Sequence, residues 1–443
     1  MAEPQPAHAI DWNRRVWRLA GPLIVSNLSI PMLGAVDTAV VGHLPGPEYI
    51  GAVSVGAVIF TTFYAGTTFL RMATVGLSSQ AFGRGDGDEF RAVLLRAVLL
   101  GAALGLLFIV LQVPLRTVVF SLIGASADVE PLARHYFDIR IWAAPAALIN
   151  IAVIGWLIGA QNTRASMMLY LLMNILNVVL DLWFVIGLDL GVGGVAWATV
   201  IAQYVTLLLG ILMCLRTLKV VEGAWRRERL LDKTAFRHLL SINRDIFLRS
   251  ICLNGAMFMF TALGARLGDV VLAANAILMV FQHVMSAGID GFSHSSSSLV
   301  GEAVGAKSRE HLKAAVRTTN FWAFCFAAGY SVLFALTGAF FIDLITSVPD
   351  VRAATREYLP WMVITPLISV ASYQLDGFFV GATRSADMRN AMFQSVLIYI
   401  GALILCVPFL GNHGLWLAFS VLMVARGITL YRRFPKIERQ IEG

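Results

Sequence analysis

The chain has 443 residues, of which 58% are hydrophobic and only 14% are charged. Soluble domains carry about 25% charged residues, so this composition excludes an ordinary soluble domain and indicates a protein surrounded by lipid. The formal net charge is +7. Because the basic residues lie mainly in segments between apolar runs, we attribute this charge to membrane topology and expect no nucleic-acid partner.

Twelve apolar runs are long enough to form membrane-spanning helices, which need roughly 20 residues each. Residues 1–13 are polar, and no small-residue cleavage site follows a short apolar run, so the first helix is predicted to be an uncleaved span. The predicted fold class is therefore an all-α integral membrane protein. The predicted spans are 16–41, 49–78, 92–113, 134–158, 165–187, 192–215, 238–264, 271–299, 314–337, 356–380, 389–409 and 414–431.

The distribution of basic residues predicts the orientation. If the N-terminus is inside, the cytoplasmic segments, counted with the span ends next to them, hold 25 of the 34 lysines and arginines. The external loops, counted in the same way, hold 5, and the remaining four are inside spans: Arg71, Arg140, Arg249 and Arg426. Basic residues accumulate on the cytoplasmic side of membrane proteins. We therefore expect an inner-membrane protein with both termini in the cytoplasm.

The second half of the chain repeats landmarks of the first at an offset of 222 residues. Gly83 matches Gly305, and the Gly155–Gly159 pair matches Gly377 and Gly381. Six spans per half means that both halves enter the membrane from the same side, which predicts parallel repeats about an axis along the membrane normal. The predicted domains are an N-lobe at 1–215, a basic cytoplasmic linker at 216–243 and a C-lobe at 244–443.

Polar side chains within spans distinguish the two halves. Asp37 in span 1 and Asp181 in span 5 have Met259 and Leu403 at the repeat-related positions. Burying a carboxylate at mid-membrane costs at least ~2.5–3.5 kcal/mol, so the first-half set is interpreted as a proton or sodium site. The alternative is a set of interhelical hydrogen bonds that only fixes the packing. The other members of the set are Asn150, Asn174, Asn177 and Thr199.

The second half has intramembrane acids of its own, Asp290 and Asp376, and Arg249 is available to pair with either. Asp290 and His294 are one helical turn apart, a spacing that permits a proton relay or a metal pair. No further ligand stands at suitable spacing, so we predict no metal and no cofactor. A buried ion-pair network that braces the lobe is favoured over a second coupling site.

Five stretches of the chain, taken together, resemble the multidrug and toxic compound extrusion (MATE) family, and in particular its DNA-damage-inducible (DinF) branch. The likeness covers nearly the whole chain. The stretches are Ile30–Thr38, Gln80–Gly83, Gly155–Arg164, Asn177–Asp181 and Gly194–Gln203.

The resemblance implies a cation-coupled antiporter that expels organic, often cationic, compounds. It gives Asp37 the role of principal coupling carboxylate, and Pro22 resembles the proline at which the first helix has been proposed to bend on protonation. By the same resemblance, the polar partners in the coupling site are Asn150, Asn177, Asp181 and Thr199.

Another branch of the family, NorM, emphasises carboxylates of the second lobe. Asp376 matches one of them, but Arg249 stands about where that branch has a glutamate. This departure favours coupling through the first lobe.

The predicted function is export of small organic, cationic or amphiphilic compounds in exchange for H⁺ or Na⁺, with H⁺ favoured, through a cleft between two six-helix bundles. A single chain holds a complete cleft, so we expect a functional monomer. A flippase or exporter for lipid-linked or amphiphilic cargo is the main alternative. An intramembrane enzyme that uses Asp37 and Asp181 as an acid pair, and a passive channel, are the others.

Overall fold

The computed structural model describes residues 10–42 and 46–442, without the side chains of residues 30–38 and 41. Every regular element in these residues is a helix, as expected for apolar sequence in lipid, where helices satisfy their own backbone hydrogen bonds. The helices are α1 (Trp12–Val41), α2 (Pro47–Ala65), α3 (Thr68–Gly83), α4 (Gly87–Val110), α5 (Gln112–Ile123), α6 (Val129–Arg140), α7 (Ala144–Gly159), α8 (Thr163–Asp181), α9 (Gly191–Leu218), α10 (Arg227–Leu230), α11 (Lys233–Arg266), α12 (Asp269–Gly305), α13 (Arg309–Ile345), α14 (Pro349–Gly381), α15 (Ser385–Tyr431) and α16 (Pro435–Glu442).

These helices account for the twelve predicted spans. In the described chain, 10 segments are long and apolar enough to cross a membrane. The last of them contains α15, which bends at Gly411 (φ 55°, ψ −128°) and so holds two crossings. With α1, the count is twelve. Short breaks divide three other spans: between α2 and α3, between α4 and α5, and at the 3₁₀ turn Ile141–Ala143 before α7.

Two compact units divide the chain. The N-terminal unit is Leu28–Arg237, and the C-terminal unit is His238–Gly443 with the described part of Met1–Asn27. The core of the N-terminal unit includes Phe60, Tyr136 and Phe137. In the C-terminal unit one core surrounds Trp416, and a second packs Val16 of α1 with apolar residues of α12 such as Phe292. The predicted linker 216–243 contains the end of α9, all of α10 and the start of α11.

The internal repeat extends to backbone conformation at the turns. Left-handed φ angles occur at Gly85 (67°) and Lys307 (51°), and at Gln161 (60°) and Thr383 (54°), and both pairs are 222 positions apart. At each turn the next residue donates its N–H to the carbonyl five residues back, which is the Schellman helix ending. The four N···O distances are 3.1 Å (Asp86 to Ala81), 2.9 Å (Asn162 to Leu157), 2.9 Å (Ser308 to Ala303) and 3.0 Å (Arg384 to Phe379).

Repeat-related glycines bring helices into close contact. A Cβ on Gly155 would lie 2.7 Å from the Arg71 carbonyl oxygen, and one on Gly377 would lie 2.4 Å from that of Ser293. Arg71 and Ser293 are themselves related by the repeat. Small residues at such contacts let membrane helices pack backbone to backbone. This packing holds α3 against α7, and α12 against α14, as rigid pairs.

Candidate cation-coupling site

Thr199 joins three helices of the N-terminal unit. Its Oγ1 accepts a hydrogen bond from Arg140 Nη1 of α6 at 2.7 Å and another from Asn177 Nδ2 of α8 at 3.3 Å. The same hydroxyl donates to the Val195 carbonyl within α9 at 3.2 Å. Because its own hydrogen-bonding capacity is used, Thr199 fixes the positions of Arg140 and Asn177 relative to each other.

Two further predicted residues connect helices of this unit. Asn174 Nδ2 donates to Ser29 of α1, at 3.0 Å to the hydroxyl and 3.2 Å to the carbonyl. Asn150 Nδ2 of α7 donates to Gln203 of α9, at 2.9 Å to the carbonyl and 3.0 Å to Oε1. Gln203 lies one helical turn from Thr199 on α9. The structure therefore brings Asn177 and Thr199 into direct contact. Asn174 lies one turn from Asn177 on α8, and Asn150 of α7 binds Gln203, one turn from Thr199 on α9.

The amide oxygens of this set are spare acceptors. The side-chain oxygens of Asn150, Asn174 and Asn177 are buried and accept no hydrogen bond from the residues that the structure describes. An unsatisfied buried acceptor costs about 1–3 kcal/mol. Such oxygens are suited to receive a hydrogen bond from water or from a protonated carboxyl group, or to coordinate a cation.

Asp181 ends α8 one turn beyond Asn177, and its side chain is 0% exposed. The following residues, Leu182–Gly187, form a π-helical turn. Turns of this kind are uncommon and occur frequently at functional sites. The stripe predicted for Asn174, Asn177 and Asp181 lies on the inner face of α8, where all three residues are buried.

Two predicted residues lie on α1. Asp37 is in the helix backbone, but its side chain lies outside the described residues. The helix continues across Pro22, whose carbonyl accepts a hydrogen bond from Ser26 Oγ at 2.8 Å. Beyond it, Asn27 Nδ2 donates to the Ala287 carbonyl of α12 at 3.0 Å, so this part of α1 packs within the C-terminal unit.

Arg140 was not predicted as a member of the site. Besides its bond to Thr199, its guanidinium carbon lies 5.3 Å from the Phe60 ring centroid and 5.7 Å from that of Tyr136. A signal for it was present in the sequence, because Met362 occupies the repeat-related position. The comparison of halves that selected Asp37 and Asp181 would have selected Arg140 as well.

One intramembrane acid of the C-terminal unit, Asp376, belongs to an ion-pair network. Asp376 Oδ2 of α14 accepts hydrogen bonds from Arg249 Nη2 of α11 and, at 2.5 Å, from Arg426 Nη2 of α15. All three side chains are buried. The guanidinium carbon of Arg426 also lies 5.7 Å from the Tyr373 ring centroid. Of the two acids offered to Arg249 by the sequence, the structure pairs it with Asp376, and Arg426 is a partner that sequence reasoning missed.

Asp290 and His294 lie one turn apart on α12 and are half-buried. Within the described residues, no group of three His, Cys, Asp or Glu side chains is arranged to hold a metal ion.

Comparison with known proteins identifies the family. The MatE family model matches the chain twice, at residues 22–183 and 246–407. The chain belongs to the MATE family of transporters. It is 40% identical to DNA damage-inducible protein F of Escherichia coli strain K12 over 94% of this chain and 91% of that protein. It is 24% identical to human Multidrug and toxin extrusion protein 1, over 93% of this chain and 72% of that protein.

Solved MATE structures share the fold. A crystal structure of MATE in the straight conformation covers 98% of this chain and 98% of its own, with a TM-score of 0.88 at 20% identity. The Vibrio cholerae MATE transporter VcmN in the bent form gives a TM-score of 0.87 at 20% identity, over 97% of this chain and 98% of its own.

These matches confirm the predicted family, its DinF branch and the repeated twelve-helix fold. The protein is a multi-pass membrane transporter and not an enzyme. MATE transporters bind small organic substrates in the membrane.

Proposed function

We propose that this MATE transporter is a proton-coupled antiporter of the inner membrane, with both termini in the cytoplasm. It exports organic, often cationic or amphiphilic, compounds by alternating access. The coupling site is the cluster of Asp37, Asp181, Asn177 and Thr199, with Asn174 and Asn150 in support. The family and its human member, Multidrug and toxin extrusion protein 1, support this class of substrate.

The observation that carries the proposal is the presence of spare buried acceptors in the same unit as a buried carboxylate. Asp181 lies one turn from Asn177, whose side-chain oxygen has no donor among the described residues. A protonated carboxyl group is a donor, whereas a carboxylate is only an acceptor. Protonation of an acid in the cluster would therefore satisfy an amide oxygen and change the hydrogen bonding between α8 and its neighbours.

The position of Arg140 favours H⁺ over Na⁺. Arginine is always charged, and its Nη1 lies 2.7 Å from Thr199 Oγ1. A sodium ion bound to Thr199 would lie close to this guanidinium and be repelled by it. A proton instead neutralises a carboxylate and needs no coordination shell.

The network in the C-terminal unit supports a division of roles. Asp376 Oδ2 accepts from both Arg249 and Arg426, so its single negative charge is compensated without a transported cation. We assign this network to structure and the N-terminal cluster to coupling.

One charge that moves through 100 mV supplies about 2.3 kcal/mol, enough for roughly a 50-fold concentration ratio of the exported compound.

The test measures efflux of a fluorescent organic cation from proteoliposomes with an imposed H⁺ gradient, an imposed Na⁺ gradient, or neither. The variants are Asp37→Asn and Asp181→Asn, with Asn177→Leu to remove the neighbouring amide. Ser372→Ala is the control, because Ser372 is the repeat-related residue of Asn150 and lies in the other half. Circular dichroism and reconstitution yield establish that each variant is folded.

We expect the H⁺ gradient to drive efflux in wild type and in Ser372→Ala, and both aspartate variants to lose concentrative transport. Full H⁺-driven efflux by Asp37→Asn and Asp181→Asn would reject the coupling site. Efflux driven only by a Na⁺ gradient would contradict the assignment of H⁺ as the coupling ion. Lipid translocation without efflux of the dye would favour the flippase alternative.

A further inference from the structure

A cavity of about 340 Å³ opens on the C-terminal unit beside α13, α14 and the end of α15. Two helix stripes with four-residue spacing form its walls. They are Val316, Asn320 and Phe324 on α13, and Val370, Gln374 and Phe378 on α14. Tyr431 and Phe434 close one end of the cavity. Phe324 is 55% exposed and Tyr431 is 71% exposed, so the cavity is open at its side.

Gln374 makes this cavity chemically unusual. Its side chain is 1% exposed, and neither Oε1 nor Nε2 forms a hydrogen bond with the described residues. Leaving one buried donor and one buried acceptor unsatisfied is costly. The fold does not require an amide here, because the repeat-related residue is Ala152. The cavity is therefore built for a ligand that is mainly apolar but offers hydrogen-bonding groups at one point.

The depth of Gln374 matches the polar boundary of a leaflet. It lies seven residues before Gly381, the last residue of α14, which is about 10 Å along the axis at 1.5 Å per residue. Helix α13 has 37 residues, about 55 Å, and therefore extends beyond the ~30 Å hydrocarbon core. Its cavity-lining residues begin seven positions from its start at Arg309. On the predicted orientation this end is cytoplasmic, where the glycerol esters of the inner leaflet lie.

Two exposed cations lie between the cavity and the start of α13. Lys313 and Arg317 are three to seven residues before Asn320, on the same side of the helix, and form no ion pair with any described residue. Both line a second cavity of about 720 Å³, with Glu310, Trp12 and Phe321. Basic side chains next to an aromatic surface at this depth attract anionic headgroups.

We propose that this groove is a binding site for an anionic phospholipid of the cytoplasmic leaflet. The phosphate pairs with Lys313 and Arg317, and the ester carbonyls and a headgroup hydroxyl satisfy Gln374 and Asn320. One acyl chain packs on Phe324 and Val370, which lie deeper in the leaflet than Gln374. The site is separate from the proposed coupling cluster and does not depend on it.

The test titrates the purified, delipidated full chain with phosphatidylglycerol and with phosphatidylcholine of the same acyl chains, and counts bound lipids by native mass spectrometry. A basic residue near the membrane surface contributes about 1 kcal/mol. Two of them correspond to a preference of about 30-fold for phosphatidylglycerol in wild type, at 1.4 kcal/mol per tenfold. Lys313→Gln/Arg317→Gln should abolish this preference. Arg216→Gln/Lys219→Gln, an exposed basic pair at the C-terminal end of α9, is the control and should keep it.

Gln374→Met tests the buried amide with a side chain of similar shape. It should weaken the binding of both lipids about tenfold, because both carry the same esters. It should also raise the melting temperature of the delipidated protein, since an unsatisfied polar group is removed. Gln282→Met, at another buried glutamine of the same unit, is the control and should leave lipid binding unchanged.

Equal affinity of wild type for the two lipids would overturn the proposal, as would unchanged lipid binding by Gln374→Met. Displacement of phosphatidylglycerol by an equal concentration of soluble glycerol phosphate would show a simple anion site and would also reject it. Because Lys313 and Arg317 are exposed, their double variant tests the headgroup contact even if Gln374→Met fails to fold.

Discussion

The N-terminal and C-terminal units stabilise their buried polar groups in different ways. In the first, Thr199 accepts hydrogen bonds from Arg140 and Asn177, while the amide oxygen of Asn177 accepts none from the part of the chain that the structure describes. In the second, Asp376 is bound by Arg249 and Arg426. Spare acceptors allow a change of hydrogen bonding when a proton arrives, whereas a saturated ion pair resists change. The same repeated scaffold can thus carry a switch in one half and a brace in the other.

The largest expected effect comes from breaking the ion-pair network. Asp376→Leu leaves Arg249 and Arg426 buried without their shared carboxylate. Removing one member of a buried ion pair typically costs about 3–5 kcal/mol. We expect a markedly lower melting temperature in detergent and a reduced yield of folded protein.

A compensated variant separates charge from packing. Asp376→Leu combined with Arg249→Met and Arg426→Met replaces the whole network by apolar side chains, which is often neutral or stabilising. Its melting temperature should return close to that of wild type, and H⁺-driven efflux should return with it. A stable triple variant without efflux would mean that the network has a part in transport, against the division of roles proposed here.

The second effect concerns the hydroxyl that joins three helices. Thr199→Val removes the acceptor used by Arg140 and Asn177, while the valine fits the scaffold because Val421 occupies the repeat-related position. Leaving these buried donors without this acceptor should cost about 1–3 kcal/mol. The melting temperature should fall, and efflux at a fixed H⁺ gradient should fall with it. Thr199→Ser restores the hydroxyl and should recover both, and failure of this rescue would argue against the hydrogen bonds as the cause.

Sequence reasoning predicted the architecture more completely than the site. Span number and the two-fold repeat follow from long apolar runs, because lipid leaves the backbone few alternatives to helix. The α8 stripe through Asn177 and Asp181 follows from helical periodicity. The ion-pair network did not follow, because the choice of Asp376 over Asp290 as the partner of Arg249, and the participation of Arg426, depend on how distant helices are rotated.

Helix breaks were also missed. Hydropathy reports the length of an apolar run but not the local backbone conformation, so the π-helical turn Leu182–Gly187 left no clear signal. The same holds for the break between α2 and α3 at Gly66 and Thr67. Helices also extend beyond the predicted spans where polar residues continue the helix out of the apolar run, as in α13, which begins at Arg309 whereas the predicted span begins at 314.

The third effect tests the permanent charge in the N-terminal cluster. Arg140→Gln keeps a donor for Thr199 but removes the positive charge that we expect to exclude Na⁺. Efflux driven by a Na⁺ gradient should increase at least about tenfold, or ~1.4 kcal/mol. Arg134→Gln, one and a half turns earlier on the same helix and paired with Glu130 at its half-exposed surface, is the control. An unchanged ion preference in Arg140→Gln would remove the electrostatic argument for proton coupling.

The smallest effect comes from a turn that the two halves build with different residues. Thr383 has a left-handed φ of 54°, a conformation that is strained for a β-branched side chain. The first half has glycine at one such turn, Gly85, with a φ of 67°. Thr383→Gly removes about 1–2 kcal/mol of strain from the folded state. Glycine also gives the unfolded chain more conformational entropy, which offsets part of this gain, so we expect the free energy of unfolding to rise by about 0.5–1 kcal/mol. The melting temperature in detergent should rise slightly.

Gly85→Thr should lower the melting temperature, and because a Cβ at Gly85 would meet no atom within 4 Å, that loss would come from the backbone alone. A fall on Thr383→Gly would mean that the side chain, including its 2.8 Å hydrogen bond from Oγ1 to the Ala382 carbonyl, outweighs the strain.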